Sequence, residues 1–166
     1  MKKILIVTAD YYKDISLGLL NSAKKNLPRN FNIKIIKVPG VFEIPVTISK
    51  HLKKFDAFIA LGCVIKGQTP HFDFISQSST NAIMDLAINS KKPIGNGILT
   101  CLNMKQAKAR KKKGAEAAEA VVSVLSQKWN QSIAQKITLE LLLFKNYMVF
   151  CLITVSYTHL RAHETH

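Results

Sequence analysis

The sequence predicts an α/β protein, a three-layer αβα sandwich built on a four-stranded parallel sheet. Three observations predict it. Ile4-Leu5-Ile6-Val7, Ala57-Phe58-Ile59-Ala60-Leu61 and Ile94 to Leu99 are short, largely apolar runs, the pattern of strands covered on both faces. Between them lie segments whose apolar residues recur at helical spacing. The two kinds of segment alternate along the chain, which calls for crossover helices and therefore for parallel strands.

The first strand, Ile4 to Val7, leads into the loop Ala9-Asp10-Tyr11-Tyr12. Asp14 is placed to cap a helix from Ile15 to about Leu27, with Leu19, Leu20, Ala23 and Leu27 inward and Pro28 ending it. Ile33 to Val38 alternates with Lys34 and Lys37, as a strand nearer an edge does. Pro39-Gly40 turns the chain, and Val41-Phe42-Glu43 opens a helix carrying Pro45 in its first turn, where a missing N–H costs little. The third strand ends at Leu61, a loop runs from Gly62, and a long helix extends from Phe72 to about Asn89 before Lys91-Lys92-Pro93 breaks it. The fourth strand carries Gly95, Asn96 and Gly97, small residues that predict another surface close to its backbone. Asn103 is positioned to cap a helix through Arg110, and Ala115 to about Gln127 forms the last helix, with Ala118, Val121, Val122 and Leu125 on one face.

In parallel sheets of this kind ligands bind beyond the carboxyl ends of the strands. Tyr11 and Tyr12 follow the first strand, Phe42 and Glu43 the second, and Gln68, Thr69 and His71 the third, while Asn96 lies within the fourth. In Gly62 to Ser76, Gly62 and Gly67 are expected to give the loop backbone angles other residues avoid. Gln68 and Thr69 offer donors ahead of a helix N-terminus, which favours an anion, and His71 is the side chain suited to moving protons near neutral pH. Each has a plainer reading: His71 as a helix-capping loop histidine, Tyr11 as a cover for the core edge, Glu43 as a first-turn carboxylate favoured by the dipole, Arg110 as part of a solvated basic face.

The 166 residues suit one domain with a substantial core. Lys and Arg outnumber Asp and Glu 24 to 10, giving +14, but the lysines are scattered and no basic stripe is interleaved with aromatics, so nucleic acid is not expected as a partner. Cys63, Cys101 and Cys151 share no metal-binding or disulfide spacing, so neither a disulfide framework nor a structural metal is expected, which suits a reducing cytoplasm. Residues 128–166 break the alternation. Leu139 to Val155 is interrupted by Glu140, Lys145 and Asn146, too charged and short for a span of about 20 apolar residues, so no membrane partner is expected. The last residues, Val155 to Thr165, read as translated sequencing-adapter sequence; the tail is taken as frame-shifted or adapter-derived and poorly ordered, and His159, His163 and His166 receive no role.

Residues 1–127 resemble the lumazine synthase family of riboflavin biosynthesis, whose fold is flavodoxin-like. The resemblance rests on Val38 to Pro45, Gly62 to Ser76, Pro93 to Thr100 and Gln106 to Ala120, with Gly67-Gln68-Thr69-Pro70-His71-Phe72-Asp73 the most specific stretch. It implies condensation of 5-amino-6-(D-ribitylamino)uracil with 3,4-dihydroxy-2-butanone 4-phosphate, releasing phosphate and water, with no metal or organic cofactor. It implies Tyr11 stacked on the pyrimidine, Val41, Phe42 and Glu43 holding the ring and ribityl chain, Gln68 and Thr69 binding phosphate, and His71 as general acid/base. Asn96 and Arg110 correspond to positions supplied by an adjacent subunit, against the pyrimidine and the phosphate respectively, in homopentamers that in some members form icosahedral shells of 60. The chain departs from the family in having only Lys111-Lys112-Lys113 between Arg110 and Gly114, where the family has several more residues including a phosphate lysine; one of the three is the candidate to replace it. If the shortened turn abolishes phosphate capture, the expectation becomes a flavodoxin-like module that binds a flavin or ribityl ligand without turnover.

Overall fold

The computed structural model describes residues 1–127; the expectations for 128–166 lie outside the described residues. The elements run β1 (Lys3–Ala9), α1 (Lys13–Lys25), β2 (Asn32–Val38), α2 (Glu43–His51), β3 (Ala57–Ile65), α3 (His71–Ser90), β4 (Ile94–Cys101), α4 (Met104–Ala109) and α5 (Lys113–Ser126). All strand pairs are parallel, in the order β2-β1-β3-β4. Ile4 lies opposite both Ile33 and Ala57, and Phe58 opposite Ile94.

The strand residues sort by alternation into two cores. Ile4, Ile6, Ile59, Leu61, Cys63, Leu99 and Cys101 face α1, α4 and α5, packing with Ile15, Leu19, Ala107, Ala118 and Val121. Leu5, Val7, Phe58 and Ala60 face α2 and α3, packing with Ile44, Ile48 and Ile83. Both faces of β1 and β3 are therefore apolar, which is why those runs lack polar alternation. The edge strand β2 keeps Lys34 and Lys37 exposed, as its alternation predicts.

Four local expectations are corrected. Asp14 does not cap α1: the helix starts two residues earlier than expected, Tyr12 occupies the cap without a side-chain bond, and the Asp14 carboxylate accepts instead from Lys111 Nζ at 2.7 Å. That lysine holds the Asp14 carboxyl below the usual carboxylate range, the hydrogen bond being the largest cause. β3 continues through Gly62 to Ile65, and no described glycine has a positive φ. Gly62 is needed for room, since a Cβ there would lie 2.7 Å from Val41 Cγ2. His71 is the first residue of α3 rather than a loop residue.

The close approach at β4 comes from within the chain. A Cβ at Gly95 would stand 2.1 Å from the Ala117 carbonyl oxygen, and one at Gly97 3.2 Å from Ala117 Cβ, so these glycines let α5 lie directly on the sheet. Gly114 does the same where α5 crosses α1, with Leu19 O at 2.0 Å from a hypothetical Cβ. The predicted cap of α4 is present: Asn103 Oδ1 accepts from Gln106 N at 3.0 Å and Gln106 Oε1 accepts from Leu102 N at 2.9 Å, a reciprocal cap.

Candidate functional site

A cavity of about 620 Å³ opens beyond the carboxyl ends of β1, β2 and β3, where a parallel sheet leaves room between diverging connections. It is lined by Tyr11 and Tyr12 from the first connection, Gly40, Val41, Phe42 and Glu43 from the second, Cys63, Val64 and Ile65 from the end of β3, and His71 and Ile75 from α3. Five residues singled out in the sequence, Tyr11, Val41, Phe42, Glu43 and His71, thus meet at one place although 60 positions separate the first from the last.

Each is set by a local feature. Val41 is buried, at 6% exposure, against Gly62, and so anchors the second connection to β3. Phe42 then projects, 63% exposed, and Tyr11 stands 76% exposed across from it. Exposed aromatic rings at a cavity mouth offer flat apolar faces for a planar ligand. Glu43 opens α2, and its Oε2 accepts from Gly40 N at 3.0 Å, closing the turn after Pro39. Its Oε1 accepts no protein hydrogen bond among the described residues and remains available to a hydroxyl donor. His71, exposed at the first turn of α3, brings an imidazole to the rim beside backbone N–H groups that the helix leaves without partners.

The floor is dry. Burial, then the neighbouring Tyr11 and Cys63, raises the Tyr12 phenol above its ordinary range. Burial, reinforced by Cys101, pushes the Cys63 thiol up to about 12. Cys63 is therefore a protonated, apolar wall rather than a nucleophile. Among the described residues no group of three His, Cys, Asp or Glu side chains could hold a metal, and no helix is long and apolar enough to cross a membrane.

Four predicted site residues do not line the cavity within one chain. Gln68 and Thr69 are exposed on the connection between β3 and α3, two or more residues ahead of His71. Asn96 projects from β4, a sheet edge, with Oδ1 accepting from Ile98 N at 3.0 Å. Arg110 ends α4, exposed, with one guanidinium nitrogen 3.5 Å from Gln106 O. Tyr12, placed with Tyr11 at this end of the sheet by the sequence, lines the cavity as well, and Gly40, Cys63, Val64, Ile65 and Ile75 line it without having been singled out as site residues. Cys63, Val64 and Ile65 fall in the stretch read as a loop from Gly62, and the signal that they extend β3 is the apolar run resuming after Gly62.

The family model described as 6,7-dimethyl-8-ribityllumazine synthase matches residues 1–129. Relatives of that name are 43% identical over 138 residues in Agrobacterium fabrum (75% of this chain, 93% of the relative), 42% over 136 in Rhodopseudomonas palustris (74% and 83%) and 39% over 133 in Cutibacterium acnes (75% and 80%).

Proposed function

We propose a division of labour among the residues of this chain, which belongs to the 6,7-dimethyl-8-ribityllumazine synthase family. The reaction joins 5-amino-6-(D-ribitylamino)uracil to 3,4-dihydroxy-2-butanone 4-phosphate, with loss of phosphate and water, in riboflavin biosynthesis. An amine adds to a ketone, a phosphate leaves, and a ring closes. Such a site needs a flat slot, an anion cradle and a group that moves protons.

The observation that carries the assignment is the convergence of Tyr11, Val41, Phe42, Glu43 and His71 on one cavity. Tyr11 stacks on the pyrimidine, Val41 and Phe42 hold its edge, and Glu43 Oε1 accepts from the ribityl hydroxyls. His71 transfers protons as the carbinolamine loses water and the phosphate departs, work for which imidazole is suited at neutral pH. Gln68 and Thr69, just ahead of α3, receive the phosphate, where the uncapped helix end favours negative charge.

Asn96 and Arg110 complete the site of a neighbouring subunit in a homopentamer; a larger icosahedral shell is a further assembly of the same unit. Their position supports this reading, since both are exposed and neither lines the cavity of its own chain. Of the three turn lysines, Lys111 is bonded to Asp14 and Lys113 to Glu116, while Lys112 is exposed with no ion pair among the described residues. Lys112 is therefore the lysine assigned to the phosphate. A cytoplasmic location accords with the free thiols of Cys63 and Cys101.

The test is an absorbance assay for lumazine formation from the two substrates, on the full chain and on residues 1–127 in parallel. Product from both is expected. Folded protein that binds the ribityl-pyrimidine yet makes no product would favour the module without turnover, with the short turn after Arg110 as the cause.

A further inference from the structure

We infer that Ser16 is a positioning residue for the pyrimidine slot, acting through the connection that carries Tyr11. The inference rests on the reading of Tyr11 given above. Ser16 is the fourth residue of α1 and is buried, at 3% exposure. Its Oγ donates to the Ala9 carbonyl, at the end of β1, and lies 3.0 Å from the Tyr12 carbonyl, at the start of α1. One hydroxyl thus spans the two ends of the loop whose middle residues are Asp10 and Tyr11.

Little else fixes that loop from the inside. The cap residue Tyr12 makes no side-chain bond to the helix end. Asp10 N donates to Val38 O at 2.8 Å, which ties the loop's start to the end of the neighbouring β2, and the Asp10–Lys37 pair at 3.6 Å is exposed on the lysine side. Tyr11 is held through its neighbour: the two tyrosine rings meet edge to face, centroids 4.9 Å apart at 78°, and Tyr12 packs on the core. The Tyr12 backbone therefore decides where the Tyr11 face points, and Ser16 holds the Tyr12 carbonyl by its backbone N–H, at 2.9 Å, while its single hydroxyl proton is shared between that carbonyl and that of Ala9. A serine inside a helix ordinarily bonds the carbonyl four residues back and slightly weakens it. Here the second acceptor, on a strand, turns that habit into a brace across the loop.

The prediction separates positioning from stability. In the full-length protein, Ser16→Ala raises the KM for the ribityl-pyrimidine about fivefold, the loss of one hydrogen bond's worth of order, with the KM for the phosphorylated substrate and kcat changed less than about twofold. Ser16→Thr keeps the hydroxyl, and its methyl has room in the cavity of about 280 Å³ that Ser16 also borders; it restores the wild-type KM. Amide exchange of the segment 9–16 accelerates in Ser16→Ala, while exchange in β3 and α5 is unchanged. Equal rises in both KM values, or a lowered melting temperature with unchanged KM and unchanged local exchange, overturn the proposal. If wild-type protein gave no lumazine, the assignment of function would fail, and the exchange comparison would still decide whether Ser16 orders the loop.

Discussion

The proposed site draws on two unequal regions of the chain. The cavity side is assembled from connections after β1, β2 and β3 and is braced by buried contacts: Val41 against Gly62, Glu43 on Gly40 N, Ser16 across the first loop. The Asn96 and Arg110 side lies on exposed surface, Asn96 at the β4 edge and Arg110 at the end of α4. The first region is gathered into one cavity within the chain. The second is built with equal care at its base, where Asn103 caps α4 and Gly95 admits α5, yet it presents its polar ends to solvent. Asn96 and Arg110 are both exposed there, which accords with the proposed service to a neighbouring subunit.

The comparison is broken most strongly at the cavity. His71→Ala is expected to lower kcat by roughly 10²-fold while leaving assembly and pyrimidine affinity intact, the usual scale for a lost general acid/base. Turnover unchanged in the variant would remove the imidazole from the chemistry. On the other side, Arg110→Ala is expected to raise the KM for the phosphorylated substrate about tenfold, since a charge-assisted bond to phosphate is lost. Equal weakening toward both substrates would argue against a phosphate role.

The scaffold between the two regions gives a third prediction. Gly95→Ala forces a methyl into the Ala117 carbonyl and is expected to cost at least roughly 2 kcal/mol in a denaturant titration. A stability within experimental error of wild type would mean that α5 does not lie as close to β4 as described. The smallest effect is expected at the cavity floor. With its thiol pushed up to about 12, Cys63 stays unmodified by iodoacetamide in the folded protein at pH 8, and labelling as fast as in the unfolded chain would contradict a buried wall. Because the folded pKa is raised above the ordinary 9.0, this group's contribution to stability is full below pH 9 and is lost as pH rises from there through about 12.

The sequence made the layers readable for a physical reason. β1 and β3 are covered on both sides, so Ile4 to Val7 and Ala57 to Leu61 had to be continuously apolar, and continuity is visible without coordinates. The reciprocal cap at Asn103 was readable because it is closed within five residues. What could not be read depended on partners far away in the chain. Asp14 looked like a cap until Lys111, 97 positions on, took its carboxylate. Gly95 and Gly97 announced close approach, but only the packing says that Ala117 and Leu61 do the approaching, and Gly62, read as a source of unusual backbone angles, instead makes room for Val41. At the site, chemistry-bearing side chains such as His71 and Glu43 stood out by type, whereas Cys63, Val64 and Ile65 line the cavity simply because β3 runs on past Gly62.

The most direct measurement mixes defective chains. His71→Ala and Arg110→Ala proteins, each nearly inactive at low concentrations of the phosphorylated substrate, are unfolded together in equal amounts, refolded and assayed for lumazine. If Arg110 serves the cavity of a neighbouring subunit, about a quarter of the sites in randomly mixed rings pair an intact His71 with an intact Arg110, and activity recovers toward that fraction of wild type. If both residues serve the same chain, every site in the mixture carries one defect, and activity no greater than the sum of the two separate proteins would contradict the account.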